Sequence, residues 1–429
     1  MREMKDSGVE WLESIPETWN LLQLGSLFSE HKHKNIGMQS SNLLSLSYGK
    51  IIRKDINTTD GLLPESFEGY NVIGAGDIVL RLTDLQNDQR SLRVGLCGEN
   101  GIITSAYTTL RRRNDAISSK YFYYLLHSYD VRKGFYGMGA GVRQGLNYAG
   151  VRKIMLAVPS EREQTAIAEC LDQKIAQVDA LIANVQAQIE KLKAYKQSLI
   201  TEVVTKGLGP NAPMKDSGVE WLGAVADTRR IFRLKYLLNF PMQYGANESG
   251  DKYTDGSVRY IRITDITADG KLKDDENNQY ISDTIASEYT LKDGDVLFAR
   301  SGGTVGKSFL FRKEYGQCAF AGYLIKAECN QKVLLPEYLI YYTQSSLYNL
   351  WKNMIFIQAT IQNIGANKYS NMEIPIPTIA EQESIVEHLK TKCSQIDQLI
   401  SLKESKIEKL QQYKRSLIYE YVTGKKEVV

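Results

Sequence analysis

The sequence predicts an α+β protein: two β-rich domains joined by two long antiparallel helices, which form an intramolecular coiled coil with pseudo-twofold, quasi-circular symmetry. Two repeats carry this prediction. The octapeptide KDSGVEWL stands at residues 5–12 and again at 215–222, and similar longer stretches recur 218 residues apart, at 159–182 and 377–400. Because eight identical residues do not recur by chance, half of the chain is interpreted as a tandem duplicate. The expected segments are 1–158 (first entry segment and β-rich domain), 159–206 (central helix), 207–376 (second entry segment and β-rich domain) and 377–429 (C-terminal helix).

The two β-rich domains share short landmark sequences, but the residues between these landmarks differ. Short β-branched runs such as GDIVLRL in the first half and GDVLFAR in the second are broken by Gly, Asp and Asn, which is typical of strands and turns. A Gly-Asp pair recurs at 76–77 and 294–295. The residues between such landmarks are largely unrelated, so the sequence predicts two copies of one fold with different loops.

Each duplicate ends in a long amphipathic helix. Pro159 and Pro377 precede the helices and Gly207 and Gly424 follow them, as start and stop signals. A helix of about 40 residues is roughly 60 Å long. Two equivalent apolar stripes in one chain most simply bury each other, which predicts a rigid paired spacer, interrupted once by Lys403. The stripes comprise Ile167, Leu171, Ile175, Val178, Ile182, Val185, Ile189, Leu192 and Leu199, and Ile385, Leu389, Cys393, Ile396, Ile400, Ile407, Leu410 and Leu417.

Composition indicates a globular protein rather than a membrane protein. The 429 residues are 43% hydrophobic and 24% charged, and no apolar run approaches the length of a membrane span. The N-terminal residues contain no signal-peptide core, so we expect a cytoplasmic protein. Five scattered cysteines indicate neither a disulfide framework nor a zinc site. The net charge of +3 neither requires nor excludes nucleic acid.

The order of motifs resembles one protein family over essentially the whole chain. KDSGVEWL and IPETW precede a variable domain that ends in RQGL, VPSEREQ and a long helix; the second octapeptide precedes a variable domain that ends in IQNI, IPTIAEQ and a helix. This layout is similar to that of the specificity subunits of type I restriction-modification systems. The second copy departs from the first where Ala226 and Arg229 replace Pro16 and Trp19, which leaves the likeness of the two methyltransferase-docking surfaces open.

The resemblance implies a function without catalysis in this chain. In that family each variable segment is a target-recognition domain that reads half of a split site in double-stranded DNA. The helices act as a ruler and as the dock for two methyltransferase subunits, and restriction motor subunits join through the methyltransferase core. S-adenosylmethionine, ATP and Mg belong to those partners, so no catalytic residue, cofactor or metal is expected here.

Candidate DNA contacts come from the chemistry of the variable loops. Arg and Lys match guanine edges and Asn and Gln match adenine edges in the major groove. The stretch RLTDLQNDQRSLRVG (81–95) supplies these types together, and RITDIT (262–267) is its counterpart; a solvated polar hairpin is the alternative for any single residue. The candidates are Arg81, Thr83, Gln86, Asn87, Arg90, Arg93, Arg143, Gln144, Arg262, Thr264, Asp265, Arg300, Ser301, Lys307 and Gln362.

Three further interpretations stay open at this point. The stretch SGGTVGKS (301–308) nearly matches a P-loop, which would make the chain a nucleotide-binding enzyme that uses Lys307. An orphan assembly scaffold that exchanges domains with a sister subunit is another alternative. The run RRR (111–113) fits either a grip on phosphates or a solvated charge run.

Overall fold

The chain divides into two compact units. The computed structural model describes residues 2–57, 64, 66–86, 88, 92–138, 145–209, 211–267, 270–357 and 362–428. One unit comprises Met1–Gln186 with Ser405–Val429, and the other comprises Ala187–Glu404. Each unit therefore contains one β-rich head and one half of each long helix. We call residues 20–158 the first head and residues 230–376 the second head.

The first head is a set of short antiparallel strands around an aromatic helix. Its four-stranded sheet has the order β4-β11-β8-β9, and all three residues of β8 are buried. The strands of this unit are β1 (Met4–Asp6), β2 (Ser14–Pro16), β3 (Asn20–Gln23), β4 (Phe28–Glu30), β5 (Leu44–Ser47), β6 (Lys50–Arg53), β7 (Asn71–Ile73), β8 (Ile78–Leu80), β9 (Val94–Leu96), β10 (Gly101–Ile103), β11 (Thr108–Arg112) and β12 (Met155–Val158). The helices are α1 (Leu24–Leu27), α2 (Ser119–Val131), α3 (Tyr148–Val151) and the central helix α4 (Glu161–Lys206), which continues into the second unit.

The second head repeats the four-stranded sheet, and it has one three-stranded sheet where the first head has the two-stranded sheets β5-β6 and β10-β7. Its four-stranded sheet has the order β16-β22-β19-β20, and β17 pairs with both β18 and β21. The strands are β13 (Met214–Asp216), β14 (Ala224–Ala226), β15 (Arg230–Arg233), β16 (Gln243–Tyr244), β17 (Ser257–Ile261), β18 (Gln279–Ser282), β19 (Val296–Ala299), β20 (Ser308–Leu310), β21 (Cys318–Phe320), β22 (Leu324–Ala327) and β23 (Glu373–Ile376). The helices are α5 (Asp283–Ala286), α6 (Pro336–Gln344), α7 (Ser346–Ile357), α8 (Ala366–Ser370) and the C-terminal helix α9 (Ile379–Val422).

The Gly-Asp landmarks form the same turn in both heads. Asp77 is buried, and its carboxylate accepts a hydrogen bond from the backbone N–H three residues earlier (2.9 Å). Asp295 is buried and accepts the equivalent bond (2.8 Å). Gly76 and Gly294 have φ of 91° and 89°, a left-handed conformation that favours glycine. The two heads therefore share one fold, as the landmarks predict.

The helices α4 and α9 pair antiparallel within each unit. In the first unit Lys414 Nζ lies 2.7 Å from Asp179 Oδ1. In the second unit Lys196 Nζ lies 2.7 Å from Asp397 Oδ2. These are the same two positions of the duplicate with the helices exchanged, because Asp397 is equivalent to Asp179 and Lys196 to Lys414. The predicted α+β architecture with paired long helices is confirmed.

The polar interruption in the seam has a partner. Lys403 Nζ donates a hydrogen bond to the side-chain oxygen of Gln188 on the other helix. Near the end of α4, burial shifts from the predicted Leu199 to Ile200, Val203 and Val204. These three side chains belong to the core of the second head, so the stripe turns from the helix partner toward the head.

A buried glutamine attaches each head to a long helix. Gln164 accepts a hydrogen bond from the backbone N–H of Ser118, which caps α2 (2.9 Å). Gln382 accepts the equivalent bond from Leu335, which caps α6 (2.8 Å). Each glutamine also donates to the backbone carbonyl five residues earlier. The Glu-Gln pair after each proline is thus a joint between head and helix.

A buried tyrosine fastens the end of the other long helix to each head. The hydroxyl of Tyr121 donates to the carbonyl of Val422 at the end of α9 (2.9 Å). The hydroxyl of Tyr338 donates to the carbonyl of Val204 near the end of α4 (3.3 Å). Each head is therefore held by the beginning of one long helix and by the end of the other.

The end of α9 also contacts the first octapeptide. The hydroxyl of Tyr419 donates to the carbonyl of Trp11 (3.4 Å), and Lys425 forms an ion pair with Glu13. A Cβ on Gly424 would lie 2.3 Å from Pro16 Cγ, so the chain passes close to the first entry segment. The C-terminal helix therefore ends beside the first entry segment.

The exchange of Trp19 for Arg229 keeps one contact in both units. Both side chains are fully buried. Trp19 Nε1 donates to Glu163 at 3.4 Å, and Arg229 Nη1 donates to the equivalent Glu381 at 2.6 Å. In the first unit Arg2 supplies the positive charge, since it pairs with Glu163 and lies over the Trp19 ring. One arginine in the second unit therefore takes the place of two residues in the first.

Candidate nucleic-acid interface

The polar loop of the first head begins with accessible side chains. Thr83 and Gln86 are exposed. Arg81 is partly exposed, and its Nη2 lies 3.6 Å from Asp88 Oδ2. These three predicted residues share the loop between β8 and β9, so the structure brings them together on an accessible segment. Asn87 and Arg90 of the same stretch, and Arg143 and Gln144, lie outside the described residues.

Arg93 organises this loop from inside. Its side chain is 0% exposed, and its guanidinium donates to the backbone carbonyls of Arg81 (3.2 Å), Thr83 (2.8 Å) and Asp84 (3.2 Å). A side chain buried in this way presents no edge to a base. The structure therefore favours a positioning role for Arg93 over the direct DNA contact expected from its chemistry alone.

A buried carboxylate completes this anchor. The backbone N–H of Arg93 donates to Asp130 Oδ2 of α2 (2.6 Å). Burial raises the pKa of Asp130 to about 6, although the hydrogen bond and charge of Arg93 oppose that rise. The loop of the first head is thus tied to the aromatic helix through one arginine.

The arginine run 111–113 is largely engaged within the protein. Arg111 Nη2 lies 2.6 Å from the buried Asp77 carboxylate, and this hydrogen bond raises the pKa of Arg111. Arg113 Nε donates to the carbonyl of Gly25 (2.9 Å). Arg112 pairs with the exposed Asp115. Two of the three arginines therefore support the fold, which weakens the interpretation of the run as a phosphate grip.

The counterpart loop of the second head is a closed turn. Arg262 Nη2 lies 2.8 Å from Asp265 Oδ1, and its backbone N–H donates to Asp265 Oδ2 (2.8 Å). Asp265 is buried and closes a short 3₁₀ turn, Ile263–Asp265. Thr264 is exposed at the tip of this turn. Of these three predicted residues Thr264 is the most exposed, while the charges of Arg262 and Asp265 neutralise each other.

The P-loop interpretation of residues 301–308 is wrong. A P-loop leads from a strand into a helix, whose N-terminus holds the phosphates. Here a 3₁₀ turn, Gly302–Thr304, leads into a second strand, β20. Phe298 of β19 is paired with Ser308 of β20 in an antiparallel register. The stretch is a β-hairpin connection, so it does not support the nucleotide-binding alternative.

Lys307 lines a cavity beside this hairpin. The cavity has a volume of about 640 Å³ and is also lined by Lys196, Lys271 and Lys352 and by the acidic Asp397 and Glu404. Lys196 is paired with Asp397 (2.7 Å), so the charges of this cavity are partly neutralised within the protein.

Arg300, Ser301 and Gln362 lie close together. Ser301 forms an isolated antiparallel bridge with Asn363, and Gln362 is exposed beside it. The Arg300 guanidinium lies over the ring of Tyr244, with 5.0 Å from its carbon to the ring centroid. Asn363 and Tyr244 escaped the sequence analysis. The IQNI landmark contains Asn363 and could have indicated it, whereas Tyr244 lies far away in the chain.

Among the described residues there is neither a metal-binding cluster nor a membrane-spanning helix. Within those ranges no group of three or more His, Cys, Asp or Glu side chains is arranged to hold a metal ion. The described part of the chain also contains no helix long and apolar enough to cross a bilayer.

Comparisons with known proteins agree with this geometry. Residues 230–412 match the family described as the type I restriction modification DNA specificity domain. The MjaVIII specificity subunit of Methanocaldococcus jannaschii is 23% identical over 431 residues, covering 96% of this chain and 93% of that protein. Residues 230–412 therefore form a domain of this family, and the chain is similar over almost its whole length to a type I restriction enzyme specificity subunit.

Other relatives and one solved structure extend the comparison. The EcoBI specificity subunit of Escherichia coli is 23% identical over 68% of this chain and 63% of its own length. The StySPI specificity subunit of Salmonella potsdam is 31% identical over 30% of this chain and 28% of its own. A chain from a study of complex assembly and conformational transition of the type I R-M system has a TM-score of 0.71 at 15% identity, covering 95% of this chain and 98% of that chain. This likeness supports the fold.

Proposed function

We propose that this chain reads a bipartite, asymmetric site in double-stranded DNA and scaffolds a type I restriction-modification complex. One observation carries the proposal: the two heads are attached by equivalent contacts, Gln164 with Gln382 and Tyr121 with Tyr338, yet they present different loops. Two heads that are attached to the helices by equivalent contacts but carry different loops are suited to recognise two different half-sites. The gap between the half-sites would be set by the paired helices.

We further propose that two methyltransferase subunits dock on the helix pair. Support comes from exposed apolar side chains that occupy equivalent positions of the duplicate, namely Leu181 with Leu399 and Tyr195 with Tyr413. A surface that is repeated while the heads differ suits two copies of one partner. Restriction motor subunits would join through the methyltransferase core.

In this proposal the chain itself performs no catalysis. S-adenosylmethionine, ATP and Mg would be bound by the partner subunits, and the complex would act in the cytoplasm. The accessible polar loops of the two heads would face the DNA, and the role of this chain would be to bring partner active sites to a defined sequence.

The decisive experiment is to sequence methylated adenines in a host that expresses this chain with its cognate methyltransferase. The expected result is one non-palindromic motif of two short blocks separated by a constant gap. The matched control replaces only the second head with a head from another family member, which should change one block and leave the other. A palindromic motif, or no motif, would contradict the proposal. Assembly of the complex without binding to any defined duplex would instead favour the orphan scaffold.

The ruler function needs a separate deletion. Residues 185–191 and 402–408 lie at matched levels of the antiparallel register that the Asp179–Lys414 and Lys196–Asp397 pairs define. Removal of both heptads keeps the phase of the apolar seam and should shorten the gap between the blocks. The control replaces both heptads with neighbouring heptads of equal length. An unchanged gap after the deletion would refute the ruler function.

A further inference from the structure

One arginine of the second head differs from its neighbours in its partners. Arg259, Arg262 and Arg312 each form an ion pair with a carboxylate, at 3.8, 2.8 and 2.6 Å. Arg300 has no ion pair with any residue that the structure describes. Its charge is therefore available to an external group.

The Arg300 side chain is nevertheless held in a fixed position. It stacks over Tyr244, and the Tyr244 hydroxyl accepts a hydrogen bond from the backbone N–H of Ala366 (2.9 Å), which fixes the ring. Arg300 Nε is buried and has no hydrogen-bond partner among the described residues. A preorganised guanidinium with an unsatisfied donor is suited to a ligand that offers acceptors, because burial without a partner is costly.

A second unsatisfied group lies on the adjoining segment. Asn363 Oδ1 is buried and also lacks a partner within the described ranges. Asn363 is bridged to Ser301, and the backbone N–H of Ile364 donates to the carbonyl of Arg300 (2.8 Å). Directly paired antiparallel residues direct their side chains to the same face, so Asn363 shares a face with Ser301, the neighbour of Arg300 in the chain. The two adjoining segments thus offer an unsatisfied donor and an unsatisfied acceptor at neighbouring backbone positions.

The surroundings of this pair are aromatic and accessible. The backbone N–H of Arg300 donates to the carbonyl of Tyr323 (3.0 Å). Tyr323 is 63% exposed and Tyr244 is 41% exposed, and Gln362 is exposed on the same segment as Asn363. Exposed rings, an amide and an arginine fork are groups that recognise nucleobases.

We propose that Arg300, Asn363 and Tyr244, the Arg300 cluster, form the base-reading centre of the second head, and that Arg300 contacts the O6 and N7 edge of a guanine. This inference rests on the proposed function and names the residues that carry it in one half-site. Guanine is favoured because the arginine fork matches its two acceptors, while stacking on Tyr244 leaves the edge of the guanidinium free. Asn363 would contact the adjacent base pair.

The test uses the whole chain in complex with its methyltransferase subunits and a DNA library randomised at each position of both half-sites. Arg300→Ala should abolish the preference for guanine at one position of the second half-site. It should weaken binding of the preferred duplex by roughly 10- to 100-fold, the range of a lost bidentate base contact. Arg300→Lys should retain part of the preference, and Asn363→Ala should relax the neighbouring position. Arg312→Lys, in the same head but ion-paired with Glu337, is the control and should leave the motif unchanged.

Each other outcome overturns a defined statement. If Arg300→Ala weakens all sequences equally and keeps the motif, Arg300 contacts phosphate and the base-reading assignment is wrong. If neither motif nor affinity changes, the cluster is not at the DNA. If Arg300→Ala fails to fold, the Arg300→Lys variant decides, and an unaltered first half-site shows that the complex is intact. Absence of any motif with the unaltered chain would overturn the proposed function itself.

Discussion

Removal of the negative charge of Glu381 should destabilise the second unit far more than the equivalent change at Glu163 destabilises the first. Glu381 faces Arg229, whose side chain is 0% exposed and whose Nε and Nη2 have no partner among the described residues. Glu381→Gln would leave a buried cation without a counter-ion. Breaking a fully buried pair costs about 3–5 kcal/mol. Because the Glu381 side chain is 32% exposed, solvent reduces this, and we expect about 2 kcal/mol.

The first unit provides the matched comparison. Glu163 is paired with Arg2, which is 26% exposed, and accepts a long hydrogen bond from Trp19. Burial raises the pKa of Glu163, but hydrogen bonds from Arg2 and Ser160 outweigh it, so the pKa is lowered overall. In Glu163→Gln the freed Arg2 can reach water. The expected cost is at most about 1 kcal/mol.

Hydrogen exchange measured by mass spectrometry can compare the two variants locally. A loss of about 2 kcal/mol should accelerate exchange roughly 30-fold in residues 200–207 and 379–385. Glu163→Gln should accelerate exchange less than about fivefold in the corresponding part of the first unit. The exposed Glu383 provides a control, since Glu383→Gln should change nothing. Equal effects at 163 and 381 would refute the assigned cost of isolating Arg229.

Three further predictions concern other contacts of the C-terminal helix α9 and of the residues that follow it. Burial, together with the nearby cations, lowers the pKa of His127 to about 4. The folded state therefore disfavours protonation of this side chain, and the free energy of unfolding falls as the pH is lowered from about 6.5 towards 4. His127→Gln should remove up to about 3 kcal/mol of that pH dependence, measured by urea unfolding at each pH. Gln382→Ala should cost about 1–3 kcal/mol, since it leaves the N–H at the start of α6 unpaired, and exchange of that amide should become faster. Gly424→Ala should lower the melting temperature more than Gly8→Ala. Both glycines have positive φ, but an added Cβ would lie 2.3 Å from Pro16 at position 424 and would meet open space at position 8. Equal melting temperatures for the two variants would contradict this.

The paired helices and the shared fold of the two heads could be predicted because the sequence contains two copies of each. Apolar spacing fixes which helix face is buried, and a second copy of the same stripe supplies its partner. The consequence of Arg229 could not be predicted in this way. Its compensation depends on Glu381, which lies 152 residues further along the chain, and only the folded structure shows that the two meet.

The sequence indicates which residues have the chemistry to contact DNA, but it does not show which of them are buried in the fold. Arg93 has the chemistry of a base contact, yet its guanidinium already donates hydrogen bonds to backbone carbonyls of the loop. The glycine-rich stretch 301–308 resembles a phosphate loop until the strand β20 follows it. Conversely, the association of Arg300 with Tyr244 joins positions 56 residues apart, and no local pattern indicates it.

The alternation of helix ends between the heads means that neither half of the gene encodes a self-sufficient product. A fragment that stops at Lys206 would lack Val422, to which Tyr121 donates, and a fragment that starts at Gly207 would lack Val204, to which Tyr338 donates. In each fragment the tyrosine would keep its second acceptor within its own head, the carbonyl of Ala157 for Tyr121 and that of Pro375 for Tyr338, but the helix end that packs against the head would be missing unless another molecule supplied it. Two copies of one half could therefore complete each other, and an ancestral homodimer that later fused end to end would account for the order of segments seen here.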